Sequence, residues 1–205
     1  MENSQLTSMK IDILQEIGNI GAGNATTALS VMLNSSLRIE CPVVKLMDFN
    51  EIADIMGGAD AIVSAVLTHF SGDVNGMTLF ILGVEEAKNL AGTMLSRSYP
   101  KGFVDFDEMD KSALQEVGNI IMTSYISSIS TLANVQIRTD PPIICVDMAG
   151  AVLSLPISEL GQIGDKALII DSKFLDKERP IDGFLLFVTD EISYEQIFKA
   201  LGIRC

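Results

Sequence analysis

Apolar residues at Ile13, Leu14, Ile17, Ile20, Gly21, Ala25, Ala28 and Met32 recur every three or four positions, the spacing of one helix face. The pattern predicts a long helix over 9–34, and its counterpart predicts another over 107–134. Extended segments follow at 37–47 and 136–147. An irregular connection comes next, with Met56-Gly57-Gly58 as a turn. Two strands are expected near 60–70 and 74–82, and again at 166–171 and 183–189. A short turn within each pair implies an antiparallel hairpin rather than a crossover. Closing helices are expected over 84–97 and 191–201, and SRSYPKGFVDFD (96–107) carries the Pro and Gly of a link.

The two halves share more than an order of elements. LQEIGNI at 14–20 returns as LQEVGNI at 114–120. At the same offset Ser30, Asn34, Arg38 and Pro42 match Ser130, Asn134, Arg138 and Pro142. A looser match joins NGMTLFILGVEEAKNL (75–90) to DGFLLFVTDEISYEQI (182–197). The chain is an internal duplication, with repeats at about 9–98 and 107–203. The expected fold is α/β, of the α+β type: two pseudo-symmetric repeats, each with a long helix, an antiparallel hairpin and a closing helix, sharing one sheet. A single domain over 1–205 is expected, because half of such a chain would struggle to cover its own sheet.

Opposite the apolar side of the first helix stand Asp12, Glu16, Asn19, Gly23, Thr26, Thr27, Ser30 and Asn34. From Ile11 to Leu37 the charged residues are Asp12 and Glu16; from Ser112 to Ile137 there is Glu116 alone. A solvated helix face is normally laced with Lys and Glu, so a face of Ser, Thr, Asn and Gly suits a surface that another protein covers. Each Glu–Asn pair could instead support its own helix. Gly18 and Gly118 cost about 1 kcal/mol each relative to Ala in a helix interior. A close approach must offset that, by internal packing or by a docked partner.

The net charge of −13 excludes a basic stripe for nucleic acid or anionic membranes. Cys41, Cys145 and Cys205 form neither a disulfide framework nor a zinc spacing, which suits a reducing compartment. There is no signal-peptide pattern and no apolar run long enough to span a bilayer, so a cytoplasmic protein is expected. GNIGAGNATT (18–27) lies within a helix pattern, lacks a Lys-Ser/Thr pair, and loses its extra glycines in the second copy, against a phosphate loop. His69 is the only histidine, so no His-containing triad or metal site can be duplicated. Phe80, Phe184 and Phe187 belong to the core.

An Asn amide does not titrate, but it can hold and aim a water, while a Glu can dock a partner's Lys or Arg. Together they suit a reaction in which positioning is most of the catalysis, such as hydrolysis of a phosphoryl group already held in a metal site. The pattern Asp/Ser-x3-Glu-x2-Asn stands at Asp12, Glu16, Asn19 and again at Ser112, Glu116, Asn119. It resembles the signature of the CheC/CheX/FliY phosphatases of bacterial chemotaxis, and two complete motifs resemble the CheC branch. The resemblance implies dephosphorylation of phospho-CheY, with Asn19 and Asn119 orienting water and Glu16 and Glu116 pairing with a receiver lysine. It further implies no cofactor of the chain's own, Mg2+ in CheY, and the deamidase CheD as a partner. A non-catalytic adaptor that sequesters CheD or CheY is the alternative. Internal pseudo-symmetry predicts a monomer. No role follows for Gln15 and Gln115.

Overall fold

A computed structural model describes residues 2–33, 38–40, 42–100, 105–160, 166–176 and 179–202. Asn34, Cys41, Cys205 and residues 101–104 of the link lie outside them. The first repeat runs α1 (Glu2–Leu33), β1 (Arg38–Ile39), β2 (Val43–Asp48), α2 (Phe49–Ile55), β3 (Ile62–Gly72), β4 (Gly76–Gly83) and α3 (Val84–Leu95). The second repeats that order as α4 (Glu108–Ala133), β5 (Ile137–Thr139), β6 (Ile143–Met148), α5 (Ala149–Leu160), β7 (Lys166–Asp176), β8 (Arg179–Thr189) and α6 (Glu191–Ala200).

Both hairpins form as expected, in one antiparallel sheet. Its centre is the β4–β8 pair, and the register there is symmetric. Gly76 faces Thr189 and Leu82 faces Gly183, with Leu79 opposite Leu186 in the middle. One offset of 107, from 76 to 183 and from 82 to 189, exchanges the two halves of this ladder.

The outer strands cross over between repeats. β2 of the first pairs with β7 of the second, and β6 of the second pairs with β3 of the first. Each repeat therefore supplies the edge of the other's hairpin.

Alternate side chains of the sheet enter two cores. On one side Val66, Phe70, Phe80, Leu168 and Leu185 meet α1, α3, α4 and α6. On the other Ala65, Leu67, Leu79, Ile169 and Leu186 meet α2 and α5. Burial on both faces explains why β3 and β4 are nearly continuous apolar runs.

Some details differ from the sequence expectation. The irregular connections contain α2 and α5. Asp48 and Glu51 form a capping box that starts α2, a signal legible in the sequence. α5 carries Pro156 within it and so defies a propensity reading. Ala28 is exposed while Gly18 and Ala22 are buried, so the buried stripe of α1 is rotated slightly from the one drawn on an ideal wheel. Met56–Gly58 is the turn expected, with Gly57 at φ 99° and Gly58 at φ 104°.

Candidate active site

α1 and α4 lie side by side on one sheet face and carry the two motifs. From Leu14 to Ile20 and from Leu114 to Ile120 the order of exposure is the same. Leu is buried, Gln half-buried, Glu exposed, the β-branched residue and Gly buried, and Asn and Ile half-buried. Helical spacing puts Asp12, Glu16 and Asn19 on one stripe, and Ser112, Glu116 and Asn119 on the other. Asp12 and Ser112 are exposed one turn before each Glu.

The buried glycines let the site helices lie low. A Cβ at Gly18 would stand 2.9 Å from Val44 Cγ2, and one at Gly118 would stand 2.7 Å from Val66 Cβ. Internal packing, not a docked partner, is what these glycines serve.

Neither Glu16 nor Glu116 makes an ion pair or hydrogen bond among the described residues, so each carboxylate stands exposed without a cation. Asn19 Oδ1 accepts a bond from Gln15 Nε2 at 3.4 Å. Gln15 and Gln115, left without a role by the sequence, reach the carbonyls of Pro42 and Pro142. Two further matched positions escaped the sequence reading. Met9 and Met109 are 55% and 57% exposed, seven residues before each Glu; Val43 and Ile143, next to the two prolines, are 48% and 59% exposed. The signal was available, since all keep the offset of 100 residues that relates the motifs.

The start of α4 is held firmly. Asp107 and Asp110 cap each other's backbone N–H, at 2.9 and 3.0 Å. Arg97 donates to both carboxylates, at 2.7 and 3.0 Å, and Tyr99 donates its hydroxyl to Asp110. Burial and the Asp110 carboxylate push the Tyr99 phenol up to about 12.

Among the described residues, neither His69 nor Cys145 offers competing chemistry. His69 is a strand residue whose Nε2 meets Glu159 Oε2 at 2.5 Å. Burial, then Asp147, pushes the Cys145 thiol up, away from the nucleophilic thiolate. No group of three or more His, Cys, Asp or Glu suited to a metal occurs among the described residues. No described helix is long and apolar enough to cross a membrane.

The profile of the CheC-like family matches residues 9–46 and 109–145, the first part of each repeat, motif included. The CheY-P phosphatase CheC of Bacillus subtilis (strain 168) is 33% identical over 94% of this chain and 94% of its own length. The chain belongs to the CheC-like family. A second relative, the flagellar motor switch phosphatase FliY of the same organism, is 30% identical over 69% of the chain but only 36% of that protein. Thermotoga maritima FliY has the same fold, with a TM-score of 0.73 at 20% identity over 95% of this chain and 96% of that one. The FliM middle domain from H. pylori gives 0.66 at 14% identity over 96% and 98%. Within the CheC-like fold the profile thus falls on the two segments that carry the Glu–Asn pairs.

Proposed function

We propose that this chain dephosphorylates phospho-CheY in bacterial chemotaxis, with two equivalent sites at Glu16–Asn19 and Glu116–Asn119. One observation carries the reading: an exposed carboxylate, unpaired among the described residues, followed by Asn one turn on, with the same order of burial on both long helices. Membership of the CheC-like family, and the name of its Bacillus subtilis relative, support the substrate.

Glu16 and Glu116 dock a receiver lysine, and each Asn aims a water at the aspartyl phosphate. The water oxygen bonds to phosphorus as the phosphorus–aspartyl oxygen bond breaks, releasing inorganic phosphate and leaving the receiver carboxylate free. Mg2+ belongs to CheY and neutralises charge on the phosphoryl oxygens. Little is asked of this chain beyond alignment, for which Asn suffices. Met9 and Val43, with Met109 and Ile143, are exposed apolar side chains that would serve as a rim to each contact. The chain works in the cytoplasm as a monomer, and its repeats act as one unit because each completes the other's sheet. CheD is a second partner, on the strength of the family resemblance.

The deciding experiment is phosphate release from phospho-CheY by the Asn19→Ala, Asn119→Ala double variant. Loss of acceleration with an unchanged fold is expected. A parental rate in that variant refutes the water-positioning role. Tight binding by the parent without any acceleration identifies an adaptor instead.

A further inference from the structure

Gln15 and Gln115 are identical in the two repeats and take no part in the chemistry just described. Each reaches a proline carbonyl 27 residues on: Gln15 Nε2 donates to Pro42 O at 2.5 Å, and Gln115 Nε2 donates to Pro142 O. Gln15 Oε1 also accepts the Val44 N–H at 3.2 Å. Among the described residues β2 is an edge strand, paired with β7 alone. Pro42 O and Val44 N flank Val43, and they are the two groups a further strand would bond. One carboxamide takes that strand's place, which also protects the edge.

This bridge fixes which way round the Gln15 amide sits. A carbonyl oxygen only accepts and a backbone N–H only donates, so Nε2 must face Pro42 and Oε1 must face Val44. The second hydrogen on Nε2 is then available to Asn19, and Asn19 answers with Oδ1 at 3.4 Å. Through Gln15, the edge strand thus reaches Asn19 with a donor rather than an acceptor.

We propose that Gln15 is a positioning residue: it selects the orientation in which Asn19 turns Oδ1 inward, and thereby sets how Asn19 holds the attacking water. A tenfold bias between two orientations takes about 1.4 kcal/mol, within reach of one net hydrogen bond. The inference rests on the water-orienting role of Asn19 proposed above. Gln115 makes the matching bond to Pro142, but neither an edge-strand N–H bonded to its Oε1 nor a bond from it to Asn119 occurs among the described residues. The second repeat therefore supplies a comparison that has the proline-carbonyl anchor without the relay.

The test isolates each site in the full chain, the first with Asn119→Ala and the second with Asn19→Ala, and adds Gln15→Glu or Gln115→Glu. At position 15 the new carboxylate still accepts from Val44 N–H, and at both positions it presents oxygen where Nε2 donated. At the first site kcat for phospho-CheY is expected to fall about tenfold with KM unchanged, and at the second by less than about threefold. Equal losses at both sites, or a lower Tm with kcat intact, overturn the relay. A readout independent of turnover is the Asn19 side-chain amide pair in 15N-labelled protein, assigned by its disappearance in Asn19→Ala. It shifts in Gln15→Glu if the proposal holds, and unchanged resonances overturn it. Failure of the phosphatase reading itself looks different: the double Asn variant then keeps the parental rate.

Discussion

Gly118 of α4 rests on Val66 of β3, so closely that a Cβ at 118 would lie 2.7 Å from Val66 Cβ and within 2.9 Å of both its γ carbons. A Cβ at Gly18 would meet one close atom, Val44 Cγ2 at 2.9 Å, with Pro42 Cγ at an ordinary 3.5 Å. Val66 sits inside the sheet and cannot turn away, whereas one methyl of Val44 has only a few tenths of an ångström to give. Gly118→Ala is therefore expected to lower unfolding free energy by about 1–3 kcal/mol. Gly18→Ala stays within about 1 kcal/mol of the parent, because the gain in helix propensity offsets a smaller clash. Urea unfolding of both variants measures the difference, and equal effects would contradict it.

The two sites, if both work, contribute separately. Asn19→Ala and Asn119→Ala each retain part of the phosphate release from phospho-CheY, and the two retained parts add up to the parental rate. Glu16→Gln with Glu116→Gln raises KM about two- to fivefold, the scale of an exposed ion pair, with a smaller change in kcat. Steady-state kinetics at two salt concentrations separates the effects, since the parental KM should rise with salt and that of the Gln variant should not.

The apolar rim predicts a change in binding alone. Met9→Ser with Met109→Ser raises KM for phospho-CheY by about tenfold, the scale of returning one large apolar side chain to water, and leaves kcat unchanged. A drop in kcat at constant KM would place these methionines in the reacting geometry instead.

Tyr99 links the start of α4 to pH. Its phenol is raised to about 12 from an ordinary value of 10.0, so folding favours the neutral form. The stability this contributes is complete below pH 10 and is lost as pH climbs towards 12. Between those limits the melting temperature of the parent is expected to fall more steeply than that of Tyr99→Phe, as calorimetry can record. Parallel curves would show that the Tyr99–Asp110 bond does not couple to folding.

Each repeat lends its outer strand to the other's hairpin, β2 to β7 and β6 to β3. A fragment ending at Pro100 loses every strand partner of β2 and leaves the outer side of β3 open. It is expected to melt without cooperativity, while mixing it with the complementary fragment restores a single transition. Cooperative melting of the first fragment alone would contradict this.

Periodicity and repetition in the sequence reach as far as the long and closing helices, both hairpins, the duplication and the stripe bearing Glu16, Asn19, Glu116 and Asn119, but not α2 and α5. Those features depend on local spacing, and neighbours along a helix or strand are spaced by the backbone itself. The partner of β2 is not written locally. Only the tertiary structure pairs it with β7 of the other repeat, because both hairpins are apolar on two faces and either could have accepted the strand. The reason for Gly18 and Gly118 also waited for the fold, since a missing side chain says that something is close without saying what. For Gln15 the answer lay 27 residues away at Pro42, a separation at which no helical or strand period operates. Local chemistry in the sequence determined which side chains could act; the packing of α1 and α4 on the sheet decided how they are held.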